Sequence, residues 1–285
     1  MGWLDRLFRR AAPSDTPAAG PPEAPAGHPL DQEAVMARAM AAARAGDYDS
    51  ALDLWEQLAR QGNARAANNI GACFSEGFGI DRNMELAWRW LTAAAEAGDP
   101  VGQRNLATLY FKGEGVAQDY ARAAALYRSA AEQGDGAAQD MISWMLLEGE
   151  VIPSDPREAL RFALAAADQD IATAMTRLGM MTHNAIGMAR DPAEAARWWR
   201  MGAERGDADG QAMLGAALHL GAGMQRDPVA AYEWLLRAEA GGSSLAAPFL
   251  EPVRASLSQI GTAEAVRRAQ QPLPSTVPKS KVSEA

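Results

Sequence analysis

A repeat of 36 residues runs through most of this 285-residue chain and limits it to architectures made by stacking one small unit. Stepping by that interval gives Ile70, Leu106, Ile142, Leu178 and Leu214 in one column, and Gly71, Ala107, Ser143, Gly179 and Gly215 in the next. A third column reads Gly62, Gly98, Gly134, Asp170 and Gly206, with Gly241 following one residue early. A fourth pairs Gly77/Gly79, Gly113/Gly115 and Gly221/Gly223, weakened to Gly149/Val151 and Ala185/Gly187. Glycine just past a helix takes the left-handed conformation that satisfies the last carbonyls, so the glycine columns mark helix ends.

Helix starts are equally regular. Asp47, Asn83, Asp119, Asp155, Asp191 and Asp227 form a column of N-caps, three of them followed by Pro156, Pro192 and Pro228, where the missing amide hydrogen costs nothing. Glu158 and Glu194 at the third helical position complete partial capping boxes. A second cap column, Asn63, Asp99, Asp135 and Asp207, opens another helix, so each repeat is two helices. Ala dominates while Val, Ile, Phe and Tyr are scarce, and summed propensity favours helix over strand. The rings Trp55, Trp90, Tyr127, Phe162, Trp198, Trp199 and Trp234 fall in two adjacent columns and fill the space between stacked helices. The small columns let neighbouring helices approach closely, so Gly71→Val or Gly215→Val overpacks the stack.

Phrases such as the run from Leu126-Tyr127-Arg128 to Ala138-Gln139, and Gly113-Glu114-Gly115-Val116-Ala117-Gln118-Asp119, resemble the signature of Sel-1-like repeats, relatives of tetratricopeptide repeats. The resemblance covers about 47 to 242 and implies an all-α, right-handed α-solenoid of helix-turn-helix repeats with an adaptor role in assembling complexes. Around it we expect a short basic segment (1–10), an Ala/Pro-rich flexible linker (11–30), a capping helix (31–45), a degenerate C-terminal cap (243–270) and a disordered tail (271–285).

Composition excludes several functions. A formal net charge of -9 disfavours nucleic acid, whose phosphates demand clustered Lys and Arg. The one cysteine, Cys73, permits no intrachain disulfide and suits a reducing, cytoplasmic setting. No run approaches the ~20 apolar residues of a membrane-spanning helix, and Arg9-Arg10 is followed by an Ala/Pro-rich segment rather than a signal-peptide core. The glycine pairs do not extend to a dinucleotide fingerprint, because Arg82, Gln118 and Arg226 stand at the third glycine position, and no P-loop, H-E-x-x-H or G-x-S-x-G occurs. We therefore expect no enzyme and no cofactor. A hydrolase on the same scaffold is the alternative, and it requires converging titratable groups that the sequence does not display. His183 and His219 lie one period apart, but helix axes about 8–10 Å apart and a want of further ligands argue against metal; both read better as histidines of a binding surface.

The remaining signal is variation inside the repetition. Columns at Arg65, Asn68, Asn69, Ala72 and Ser75 change freely between repeats and share one face of the first helix. By analogy with tetratricopeptide stacks that helix lines the concave side, which makes these columns a groove for a peptide or helix of a protein partner. They supply Arg104, Asn105, Thr108 and Phe111 in the second repeat, Asp140, Met141, Trp144 and Leu147 in the third, Arg177, Met180 and His183 in the fourth, and Met213 and His219 in the fifth. The groove centres on Trp144, since Trp, Met and Arg are enriched at interfaces. The first ten residues offer a second element. As a helix they gather Trp3, Leu4, Leu7 and Phe8 on one side with Arg6, Arg9 and Arg10 at the rim, suited to a partner groove or to peripheral contact with an anionic inner membrane face.

Overall fold

The computed structural model describes residues 29–273, with side chains from Gln32 onward. Fourteen α-helices occur among these residues, and no strand. In chain order they are α1 (Pro29–Arg44), α2 (Tyr48–Ala59), α3 (Ala64–Glu76), α4 (Met84–Glu96), α5 (Pro100–Lys112), α6 (Tyr120–Glu132), α7 (Gly136–Glu148), α8 (Pro156–Asp168), α9 (Ala172–Asn184), α10 (Pro192–Glu204), α11 (Ala208–Leu220), α12 (Pro228–Ala240), α13 (Ala247–Ala255) and α14 (Gln259–Ala269). The first and second helices of a repeat are called A and B below. α3, α5, α7, α9 and α11 are the A helices of repeats one to five, and α4, α6, α8, α10 and α12 are their B helices.

Each A helix packs most tightly on the B helix after it, and each B helix packs on the next A helix, giving a continuous solenoid. The closest approaches between equivalent helices of successive repeats fall in the A row, α3 with α5 and α9 with α11. α1 and α2 stand one period before α3 and α4 and close one end. At the other end Ser244–Ala246, α13 and α14 form a broken hairpin, with Pro252 inside α13.

The cap residues act as their spacing predicts. Asn83, Asp119 and Asp227 each accept from the amide three residues on, at 3.1, 2.9 and 3.0 Å, and Asp99, Asp135 and Asp207 do so at 2.7, 2.8 and 2.8 Å. Glu158 and Glu194 do not close capping boxes. The amides they would accept from, on Asp155 and Asp191, already donate to Leu146 and Thr182 carbonyls at 3.1 and 3.3 Å, and Glu158 turns instead to Arg128 of the preceding B helix at 2.9 Å.

Packing follows the two paired columns. Ile70, Ile142, Leu178 and Leu214 are buried, and the small neighbour makes room for the B helix: a Cβ on Gly71 would lie 2.8 Å from Leu91, and one on Gly215 2.7 Å from Leu235. Trp55, Trp90, Tyr127, Phe162 and Trp199 are buried rings, whereas Trp198 and Trp234 are half-buried. The last repeat closes on Gly242, at φ +84° and on the 36-residue period; Gly241 is an ordinary right-handed C-cap, so the one-residue slip read from the sequence does not occur.

The outer boundaries also differ from expectation. α1 begins at Pro29, inside the segment read as linker. Gln271, expected in the tail, accepts at its carbonyl from Arg237 at 2.9 Å. Trp3, Leu4, Leu7 and Phe8, most of the linker and most of the tail lie outside the described residues.

Candidate protein-binding surface

The groove residues predicted in repeats two to five sit on α5, α7, α9 and α11. All thirteen are half-buried except Met180, which is 37% exposed. Trp144 is therefore neither core nor a free surface side chain: it packs against the central core while keeping part of its ring accessible. Its edge meets Phe111 of the previous repeat at 5.9 Å between centroids, and Phe111 meets Tyr120 at 5.4 Å. Met141 and Leu147 rest on the same core. The A row thus carries an apolar band, Phe111, Trp144, Leu147 and Met180, across three repeats, whereas the matching positions in repeat one are Ser75 and Ala72.

The polar members of the set are engaged within the chain. Asn105 donates to Asn68 at 2.8 Å, Arg104 pairs with Asp135 at 3.0 Å, and the Thr108 and Tyr127 hydroxyls lie 2.9 Å apart. Burial raises the Tyr127 phenol above its usual range. Asp140 pairs with Arg177 and accepts from Thr173 at 2.7 Å, and these two charged side chains are only 16% and 12% exposed. The Thr108–Tyr127 contact joins the two helices of repeat two, and the others staple one A helix to the next. The sequence had a signal for them: residues 37 apart, Asn68 with Asn105 and Asp140 with Arg177, are chemically complementary. These columns looked like free surface because the pair is Asn–Asn in one place and Asp–Arg in another.

The His183 ring lies 5.4 Å from Trp199 of α10, toward the B helix, and Nδ1 of both His183 and His219 is buried without a partner. Among the described residues no three His, Cys, Asp or Glu side chains gather as a metal site requires. Cys73 is buried, and desolvation pushes its thiol up to about 11, which makes it a poor nucleophile near neutrality.

Two features escaped the sequence reading. Arg82, Gln118, Arg190 and Arg226 donate to the carbonyls of Ser75, Phe111, His183 and His219 at 2.9, 2.8, 3.0 and 2.8 Å. The residues that spoil a nucleotide fingerprint therefore cap the A helices. Gln103, Gln139 and Gln211 are buried and donate to the carbonyls of Ala95, Ala131 and Ala203 at 3.4, 3.0 and 3.2 Å, tying each B-helix end to the following A helix. Their recurrence at multiples of 36 would have revealed them.

Two cavities lie where the repeat pattern lapses. Gly115 and Gly187 sit where a Cβ would come within 2.6 Å of Met84 and 2.8 Å of the Pro156 carbonyl, so each loop rests on an earlier B-helix start. Val151 occupies that place in repeat three, and a cavity of about 440 Å³ lies between α6 and α8 beside Ala121, Ala124, Ile152 and Pro153. The other, about 280 Å³, is bounded by Gln169, Asp170, Trp198 and Arg205.

Stacked helical hairpins on a 36-residue period define a repeat solenoid, and comparison with known proteins gives its family. The Sel1 repeat model matches residues 42–63, 64–99, 100–135, 136–171, 172–207 and 208–243. The chain belongs to the Sel1 repeat family. It is similar to a Sel1 repeat protein from Oxalobacter formigenes, at 26% identity and TM-score 0.73, over 84% of this chain and 97% of that one. A protective antigen of uropathogenic Escherichia coli strains with the SLR fold matches at 22% identity and TM-score 0.44, over 84% and 68%. A Klebsiella pneumoniae sel1 repeat protein matches at 19% identity and TM-score 0.45, over 70% and 97%. No curated protein sequence matches the chain. Sel1 repeat proteins are in general protein-interaction scaffolds, and among the described residues no helix is long and apolar enough to cross a membrane.

Proposed function

We propose that this chain is a non-catalytic adaptor that holds a segment of a partner protein along its A row, on the apolar band centred on Trp144. The observation that carries this reading is the continuity of Phe111, Trp144, Leu147 and Met180 across three repeats beside charges already neutralised within the chain. A surface of this kind gains most from burying apolar anchors, with the paired charges around it setting shape rather than affinity. The segment it suits is an amphipathic helix or extended peptide with two or three large apolar side chains. A cytoplasmic setting fits the single buried thiol.

The test is affinity capture from native extract with the intact chain and with Trp144→Ala, both checked for helical content. Loss of the partner by a folded Trp144→Ala chain is expected. Undiminished capture by that chain would remove Trp144 from recognition.

A further inference from the structure

We propose that the first occupant of the A-row band is the chain's own N-terminal decamer, which covers Trp144 in cis and yields to a partner. This rests on the reading of the band given above. Three observations carry it.

The first is chemical fit. The band presents four large apolar side chains, and Trp3, Leu4, Leu7 and Phe8 are four more at the three- and four-residue spacings that place them on one helical face. The second is charge. The decamer has three arginines against one aspartate, in a chain of net charge -9. At the C-terminal rim of the band, Glu114, Glu148 and Glu150 make no ion pair among the described residues and outnumber the two cations there, Lys112 and the Arg190 that caps α9. The carbonyl end of α7, which no side chain caps, shares that rim and adds partial negative charge. Asp135 and Asp140 are already paired with Arg104 and Arg177, which leaves the decamer's arginines to the rim carboxylates.

The third is reach. α1 stands at the A position one period before α3, so residue 29 starts beside the N-terminal rim of the A row. From α1 to α7 is three helix steps, roughly 30 Å at about 10 Å each. Residues 11–28 can span up to about 60 Å when extended, so the tether does not limit docking. A tether that spans its site gives a local concentration on the order of 1 mM. A decamer whose own Kd is about a tenth of that would weaken a competing segment about tenfold.

The experiment uses a fluorescent peptide of residues 1–10 and three full-length chains: intact, Leu4→Asp/Phe8→Asp, and that double variant with Met180→Lys added. Met180 is exposed, so its replacement leaves the fold intact, which helical content verifies. The peptide is expected to saturate the double variant below about 1 mM and to bind the intact chain about tenfold more weakly, the two limits set by the tether. Met180→Lys is expected to weaken the peptide at least about tenfold, as one buried anchor does. Absence of saturable binding, equal affinity for intact and double-variant chains, or indifference to Met180→Lys would each overturn cis occupancy. So would a concentration-dependent dimer dissolved by the double variant, which assigns the decamer to a second copy, or flotation on anionic vesicles lost in that variant, which assigns it to a membrane. If these fail while a captured partner still requires Trp144, the adaptor surface stands without its internal occupant.

Discussion

Repeat two and repeat four share a 36-residue frame but are held in it by different chemistry. Repeat two is the regular form: Asp99 caps α5, Gly98 turns the chain before it at φ +87°, and Gly113 turns it after at φ +72°. At repeat four the cap position is Ile171, which makes no side-chain bond, and the two left-handed turns fall on Asp170 at φ +69° and Ala185 at φ +58°. The fold is kept by contacts whose chemistry differs from that of repeat two. Arg205 pairs with Asp170 at 2.6 Å, Arg177 pairs with Asp140, and Ile171 packs on the central core. Thr176 donates to Asp207, an acceptor whose counterpart Asp135 pairs with Arg104. The frame fixes backbone shape and the small column; caps and glycines can be lost where a neighbouring repeat supplies a substitute.

Substitutions can break or sharpen this contrast. The largest effect is expected at the small column, which neither repeat can relinquish: Gly179→Val drives a side chain into the Trp199 ring and should cost about 3 kcal/mol in urea unfolding. Ala107→Ser in repeat two should cost less than about 1 kcal/mol, because Ser143 fills the same column and donates to the Ala159 carbonyl at 2.8 Å. Next is the inter-repeat staple. Asp140→Ala strands a mostly buried arginine and should cost about 2 kcal/mol, against about 1 kcal/mol for the neutral staple lost in Asn105→Ala. Ala185→Gly relieves a left-handed alanine and should stabilise by about 1 kcal/mol, read as a rise in Tm. Smallest is Asp170→Gly, which relieves the same strain but removes the partner of Arg205, for a net change within about 0.5 kcal/mol.

Most of the fold was legible because it is written many times. Caps, left-handed turns and the apolar-small pair recur at every repeat, and one lapse such as Ile171 does not hide a column. The band was legible in part. Period and helical phase put Phe111, Trp144 and Met180 on the A row, but the sequence could not say that Arg104, Asp140 and Arg177 were committed inside the chain, because a staple depends on two residues in different repeats meeting. It likewise could not turn His183 toward Trp199, since helical phase leaves ring direction to packing. Gly242 was missed for a smaller reason: adjacent glycines leave the choice of left-handed residue to the turn geometry.

Hydrogen exchange on the chain with its captured partner bound tests the claim that recognition runs along the A row most directly. The account predicts added protection in α5, α7 and α9, strongest around Trp144, with α6, α8 and α10 unchanged. Protection confined to the B helices or their loops, with α7 unaffected, would contradict it.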